Sequence, residues 1–169
     1  MQTSNTNVSA LIRATIFVRD LQVATQFYRA LGLCESYYEG DLEHPSASKV
    51  LGFQHHHPYP IKILKVAGPN FGMLGLFQLA QEHQAEQVQI ATGAARIGEV
   101  ALVFYVSCLD TILPKLKQLG AVWLPEPELF EMGPISQREV CIRDADGTLL
   151  NLVERSPDCQ NLQGPEMDF

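Results

Sequence analysis

The stretch Arg13 to Leu33, RATIFVRDLQVATQFYRALGL, changes its period part-way along. Ala14, Ile16 and Val18 alternate with Arg13, Thr15, Phe17 and Arg19, which predicts a strand. Asp20 stands where a side-chain oxygen can accept the first free N–H groups of a helix. Val23, Ala24, Phe27, Tyr28 and Leu31 then recur at spacings of three and four, so one helix face is apolar. Gly32 supplies the left-handed stop.

The same strand–helix plan returns later in the chain. A shift of 88 places Ile16 on Phe104, Val18 on Val106, Leu21 on Leu109 and Leu31-Gly32 on Leu119-Gly120. Towards the end of each unit the matching offset is read as 73, pairing Leu76-Phe77-Gln78-Leu79 with Leu149-Leu150-Asn151-Leu152. The 15 extra residues this implies for the first unit belong in the 40–60 region. Further strands are predicted at Leu33–Glu39, Ile61–Val66 and Met73–Leu79, with a short one around Lys49–Gln54. In the second unit the expected elements are a strand Val100–Val106, a helix Asp110–Leu119 and strands Val122–Leu124, Ile135–Ile142 and Thr148–Val153. Pro114 falls in the first turn of that helix, where it removes little. The fold class is therefore α+β, two tandem βαβββ units.

Residues 1–11 and 156–169 read as tails around a single domain, 12–155, whose units 12–80 and 99–155 are joined by the Gln- and Ala-rich linker 81–98. At 169 residues the chain can bury a proper core without staples. Nineteen acidic against 12 basic residues give a net charge of −7, which argues against nucleic acid as a partner. Val100 to Val106 is the longest apolar run and is too short to span a bilayer. The first dozen residues lack the basic start and apolar core of a signal peptide. A soluble, cytoplasmic protein is the expectation, and its four irregularly spaced cysteines read as reduced thiols.

Arg13 to Leu33, together with IRDADGTLLNLVER from Ile142 to Arg155, resembles the vicinal oxygen chelate superfamily. That superfamily includes glyoxalase I, bleomycin-resistance proteins, extradiol dioxygenases, fosfomycin-resistance enzymes and methylmalonyl-CoA epimerase. The first segment resembles its strand, V-x-D-L corner and helix with a Phe-Tyr pair and Leu-Gly-Leu ending. The second resembles its D-P-D-G-N turn, with Ala145 for the proline and Thr148 for the asparagine. The resemblance implies a single cup-shaped mixed sheet with helices outside, in which one residue from the first and one from the last strand of each unit hold a divalent metal. Carried over, these positions become Arg13, Gln78, Ala101 and Asn151. A guanidinium has no lone pair to donate, alanine offers nothing, and two amide oxygens cannot compensate a dication. The cup is expected without its metal, and no cofactor is implied; a divalent metal belongs to the alternative, a glyoxalase-like lyase or isomerase or a dioxygenase-type enzyme.

Residues in phase with those positions are expected to point inward: Arg13, Thr15, Phe17, Leu76, Gln78, Ala101, Val103, Tyr105, Leu149 and Asn151. Arg138, Val140 and Ile142 share a phase that could also face the cup, whereas Glu139 and Glu154 point away. An apolar, aromatic hollow with arginines and amides suits a small anionic or amphiphilic ligand. The ligand-binding set is thus Arg13, Thr15, Phe17, Gln78, Ala101, Tyr105, Arg138 and Asn151; no catalytic residue is singled out. For Arg13 the competing reading is a place at the strand's mouth in solvent, and for Phe17 and Tyr105 it is plain core packing. His55-His56-His57, beside Pro58 and Pro60, reads as an exposed loop, with adventitious metal binding or a lid role as alternatives. Superfamily members often form homodimers, but a chain with both units has a complete cup alone, so the sequence leaves association open.

Overall fold

The computed structural model describes residues 9–81, 94–123 and 126–159; most of the expected tails and of the expected linker 81–98 lie outside these. The first unit is β1 (Arg13–Val18), α1 (Leu21–Leu31), β2 (Glu35–Leu42), α2 (Ser46–Leu51), β3 (Tyr59–Lys65) and β4 (Met73–Gln78). The second is β5 (Ala101–Val106), α3 (Leu109–Gln118), β6 (Val122–Trp123), β7 (Glu128–Met132), β8 (Ile135–Arg143) and β9 (Leu149–Glu154). The α+β tandem repeat is present. Hydrogen bonds divide its strands into two sheets, ordered β1-β4-β3-β2 and β5-β9-β8-β6, with β7 also paired to β8. In each, the first strand runs parallel to the last, and the remaining pairs are antiparallel.

The helix-facing sides of both sheets share one core. Ile16, Val18, Leu74 and Leu76 from the first unit cluster with Val106, Val140, Ile142, Leu150 and Leu152 from the second, around Phe27, Tyr28, Leu113 and Leu116 of the helices. Burial of these side chains is the main stabilising term, each contributing about 1.5–3 kcal/mol. One buried polar bond also crosses the units: the Tyr28 hydroxyl donates to Asp144 Oδ2 at 2.7 Å. Asp144 Oδ1 in turn accepts the N–H groups of Asp146 and Thr148, closing the turn into β9. Burial pushes the Asp144 carboxyl above its ordinary range and the Tyr28 hydroxyl strongly upward.

The repeat is closer than the sequence offset suggested. Leu21 N–H donates to Gln78 Oε1, and Leu109 N–H donates to Glu154 Oε1, both at 2.8 Å. Leu21 and Leu109 differ by 88, and Gln78 and Glu154 by 76, the offset the strand registers also give. The expected 73 is therefore three short, and the first unit holds 12 extra residues rather than 15. Those residues do not form the strand expected around Lys49–Gln54. Ser46–Leu51 is helical and stops at Gly52, whose φ of 77° is left-handed. A strand unforeseen in the sequence, β7, makes a hairpin with β8 through Gly133 (φ 58°) and Pro134.

Candidate functional site

Each sheet has a second face, turned away from the shared core, and these two faces carry the candidate site. Strand alternation settles who stands there. On β1, Ile16 and Val18 go to the core, so Arg13, Thr15 and Phe17 stand on the open face, all three exposed. Parallel partners share a face, and β1 pairs Arg13 with Met73, Thr15 with Gly75 and Phe17 with Phe77. Gln78 thus lies on the helix face with Leu74 and Leu76, which corrects the phase expected for Gln78 and Leu76. Its side chain caps the start of α1 instead of entering the hollow.

On the first open face the side chain of Arg13 lies across Gly75. A Cβ on Gly75 would stand 2.9 Å from Arg13 Cδ and 3.2 Å from Thr15 Oγ1, so glycine is what lets the guanidinium stem lie flat there. Among the described residues no hydrogen bond or ion pair engages the Arg13 guanidinium. Beside it an aromatic row crosses the sheet: Phe17 meets Phe77 edge-on at 5.5 Å, Phe77 meets Tyr59 at 5.0 Å, and Tyr59 meets Phe53 at 5.7 Å. The extra chain forms a cover over the far end of this row. Ala47 and Leu51 of α2, with Phe53, pack on Tyr59, Ile61, Ile63, Met73 and Phe77. Beneath that cover the Tyr59 hydroxyl is buried and has no hydrogen-bond partner among the described residues. The histidines stay on the outer side: His44, His55 and His56 are exposed, with His44 Nδ1 at 2.9 Å from Ser46 Oγ and His56 Nδ1 at 3.2 Å from Ser48 Oγ.

The second open face is differently furnished. Ala101, Val103 and Tyr105 of β5 stand opposite Leu149, Asn151 and Val153 of β9. Val140 and Ile142 of β8 lie in the core, so Arg138 faces the helices, not the hollow. It forks onto Asp110 at 2.9 and 3.1 Å and reaches Glu154 at 3.3 Å, holding the Asp110 carboxyl below its ordinary range. Glu139, expected to point away, is on the open face, where it accepts from Gln137 Nε2 at 2.8 Å and Asn151 Nδ2 at 2.9 Å. Glu154 does point away, as expected. Next along β8, burial pushes the Cys141 thiol up, and Arg143 pairs with Glu99 at 2.5 Å, lowering the Glu99 carboxyl. Arg143 Nη2 and Asn151 Oδ1 are buried with no hydrogen-bond partner among the described residues.

Seen from the corrected register, the repeat-related positions are Arg13, Gly75, Ala101 and Asn151. Only Asn151 offers an oxygen, and the lone charged member is a cation. Among the described residues no three His, Cys, Asp or Glu side chains converge. The donors at these four positions do not fit a divalent metal.

Comparison with solved structures returns one architecture. A glyoxalase family protein from Bacillus cereus superposes with a TM-score of 0.69 at 20% identity, covering 90% of this chain and 97% of its own. A glyoxalase family protein from Enterococcus faecalis gives 0.56 at 19% identity, covering 85% and 96%. A member of the glyoxalase/bleomycin resistance protein/dioxygenase superfamily from Sphaerobacter thermophilus gives 0.52 at 20% identity, covering 88% and 98%. This is the glyoxalase/bleomycin resistance/dioxygenase fold. No protein-family model matches the sequence, and no curated protein matches it closely enough to count. The fold is shared across nearly the whole of each neighbour, while the side chains on its open faces are this chain's own, and chemistry has to be argued from those.

Proposed function

We propose that the chain is a glyoxalase/bleomycin-resistance-like protein that binds a small anionic or amphiphilic molecule on its open sheet faces, without the divalent metal. The observation that carries this reading is Arg13, laid across Gly75 beside the Thr15 hydroxyl, with no partner among the described residues. A planar guanidinium next to a hydroxyl and an aromatic row suits a carboxylate on a partly apolar body. The unpartnered Tyr59 hydroxyl under α2 supplies a further donor for a ligand that reaches beneath the cover. Free thiols at Cys34, Cys108 and Cys141 are consistent with a reducing, cytoplasmic setting. No described helix is long and apolar enough to cross a membrane.

A thermal-shift series with the non-aromatic carboxylates pyruvate and malonate tests the anchor. The expected result is stabilisation by at least one of them, abolished in Arg13→Ala; equal shifts in both proteins would remove Arg13 from the site. Metal analysis after dialysis is expected to find no stoichiometric Ni, Zn, Fe or Mn. One observation favours a second reading, an enzyme: Glu139 presents a carboxylate on the second face, hydrogen-bonded by Asn151. Stoichiometric metal, or turnover that Glu139→Gln abolishes, would move the protein to that reading.

The same proposal includes association of two copies. β1 and β5 are end strands of their sheets, and β7 carries the exposed apolar side chains Leu129, Phe130 and Met132. Light scattering is expected to give the mass of a dimer; a monomer at micromolar concentration would remove this part.

A further inference from the structure

A cavity of about 540 Å³ lies at the seam between the two units, apart from the Arg13 face. From the first unit its wall is Leu31 and Leu33, at the end of α1, and Val66, just past β3. From the second unit come Val103 and Tyr105 of β5, and Arg155 immediately after β9. Its volume is in the range that small-molecule sites occupy. The wall is aliphatic on one side and aromatic on the other, and its polar groups are gathered at one place.

That place is the Arg155–Tyr105 pair. Arg155 Cζ stands 5.3 Å from the Tyr105 ring centroid, a cation–π contact that aims the guanidinium along the cavity edge. The backbone beneath it is fixed, since Arg155 N–H donates to Val106 carbonyl at 2.9 Å. Among the described residues neither the guanidinium nor the Tyr105 hydroxyl has a hydrogen-bond or ion-pair partner. The carbonyls at the end of α1, which would repel an anion, are partly occupied: Arg29 O accepts from Gly32 and Tyr28 O from Leu33. An uncommitted guanidinium over an aromatic ring, at the edge of an aliphatic hollow, matches a flat apolar body ending in a carboxylate.

We propose that this seam cavity is a binding site for an aryl carboxylate, with the ring against Leu31, Val66 and Val103 and the carboxylate held by Arg155 and the Tyr105 hydroxyl. The site shares Val103 and Tyr105 with the second open face and so rests on the reading above, but it does not use Arg13, and failure at one anchor is distinguishable from failure at the other. Titration calorimetry on the full chain with 1-naphthoate, and with neutral 1-naphthamide as the charge control, tests it. The wild type is expected to bind naphthoate at one site about tenfold or more tighter than the amide. Arg155→Gln is expected to remove that difference, and Arg155→Lys to restore only part of it, because an ammonium lacks the planar fork. Val103→Trp, which fills the hollow, is expected to weaken both ligands, and Arg13→Ala neither. Equal naphthoate affinity in the wild type and Arg155→Gln overturns the proposal, as does no naphthoate binding by the folded wild type. Loss of binding in Arg13→Ala with Arg155→Gln unaffected also overturns it and assigns the ligand to the first open face.

Discussion

In the first unit the open face of the last strand is covered by a helix and an aromatic row, whereas in the second the equivalent face sets one hydrogen-bonded polar pair between two buried aliphatic side chains. Every residue of β4 from Met73 to Phe77 is buried, because α2 and Phe53 cover the side that the core does not. Its counterpart β9 buries Leu150 and Leu152 in the core; on the other side Leu149 and Val153 are buried too, and between them Asn151 binds Glu139. The first face is aromatic, with an arginine that has no partner among the described residues; the second has Glu99, Glu128 and Glu139 with one paired arginine. A duplicated scaffold has therefore diverged on its exposed faces while keeping its core pairings, down to the amide oxygen of Gln78 and the carboxylate of Glu154 at matching helix starts. Function can diverge there because those side chains are not needed to close the shared core.

The sharpest way to break this comparison is to shrink one side chain in each strand. Phe77 and Val153 are repeat-related and both nearly fully buried. Phe77→Ala removes the centre of the aromatic row and is expected to cost about 3–5 kcal/mol in urea unfolding. Val153→Ala removes less and is expected to cost about 1–3 kcal/mol. Equal costs would show that the cover adds nothing to the first unit.

A smaller effect is expected at the bond that joins the units. Tyr28→Phe leaves buried Asp144 without its side-chain donor and should cost about 1–3 kcal/mol near neutral pH. Burial raises the folded-state pKa of Asp144 above its unfolded value. Its contribution to stability is therefore full below the ordinary carboxylate range and lost as pH rises through the raised value. Tyr28 opposes that rise by hydrogen-bonding the ionised form, so its removal should matter less at pH 4 than at pH 8. Denaturant unfolding of both proteins at the two pH values checks this; a cost independent of pH would show that Asp144 does not titrate in that window.

Gly75→Ala is expected to have the least effect on stability, below about 1 kcal/mol, since the atom it meets belongs to the flexible, exposed stem of Arg13. It should nevertheless abolish a pyruvate- or malonate-induced thermal shift by lifting Arg13 off the sheet. An unchanged shift would mean that Arg13 binds in some other pose, or not at all.

Strand alternation and helix spacing were legible wherever one face was polar. They placed β1, α1, β5 and α3 to within a residue or two and put Arg13, Thr15, Phe17, Ala101, Tyr105 and Asn151 on the correct faces. They failed on β4, where MLGLFQ is buried on both sides and carries no period-two signal, so Gln78 was assigned by residue likeness and missed its face. They failed on β8 for a related reason. Val140 and Ile142 alternate cleanly, but alternation alone does not say whether the apolar side meets a helix or a hollow, and Arg138 followed them to the wrong one. β7 was passed over between Pro127 and Pro134, although Leu129, Phe130 and Met132 ahead of a Gly-Pro turn were the available signal.

The sequence by itself determined the duplicated strand–helix plan, because backbone periodicity and capping are local and each half carries its own copy. Only the tertiary structure decided which carboxylate and which arginine share a face, what covers the first sheet, and that a cavity opens beside Tyr105 and Arg155. Those depend on where the helices and the 12-residue insertion pack, which is a property of contacts between segments far apart in the chain.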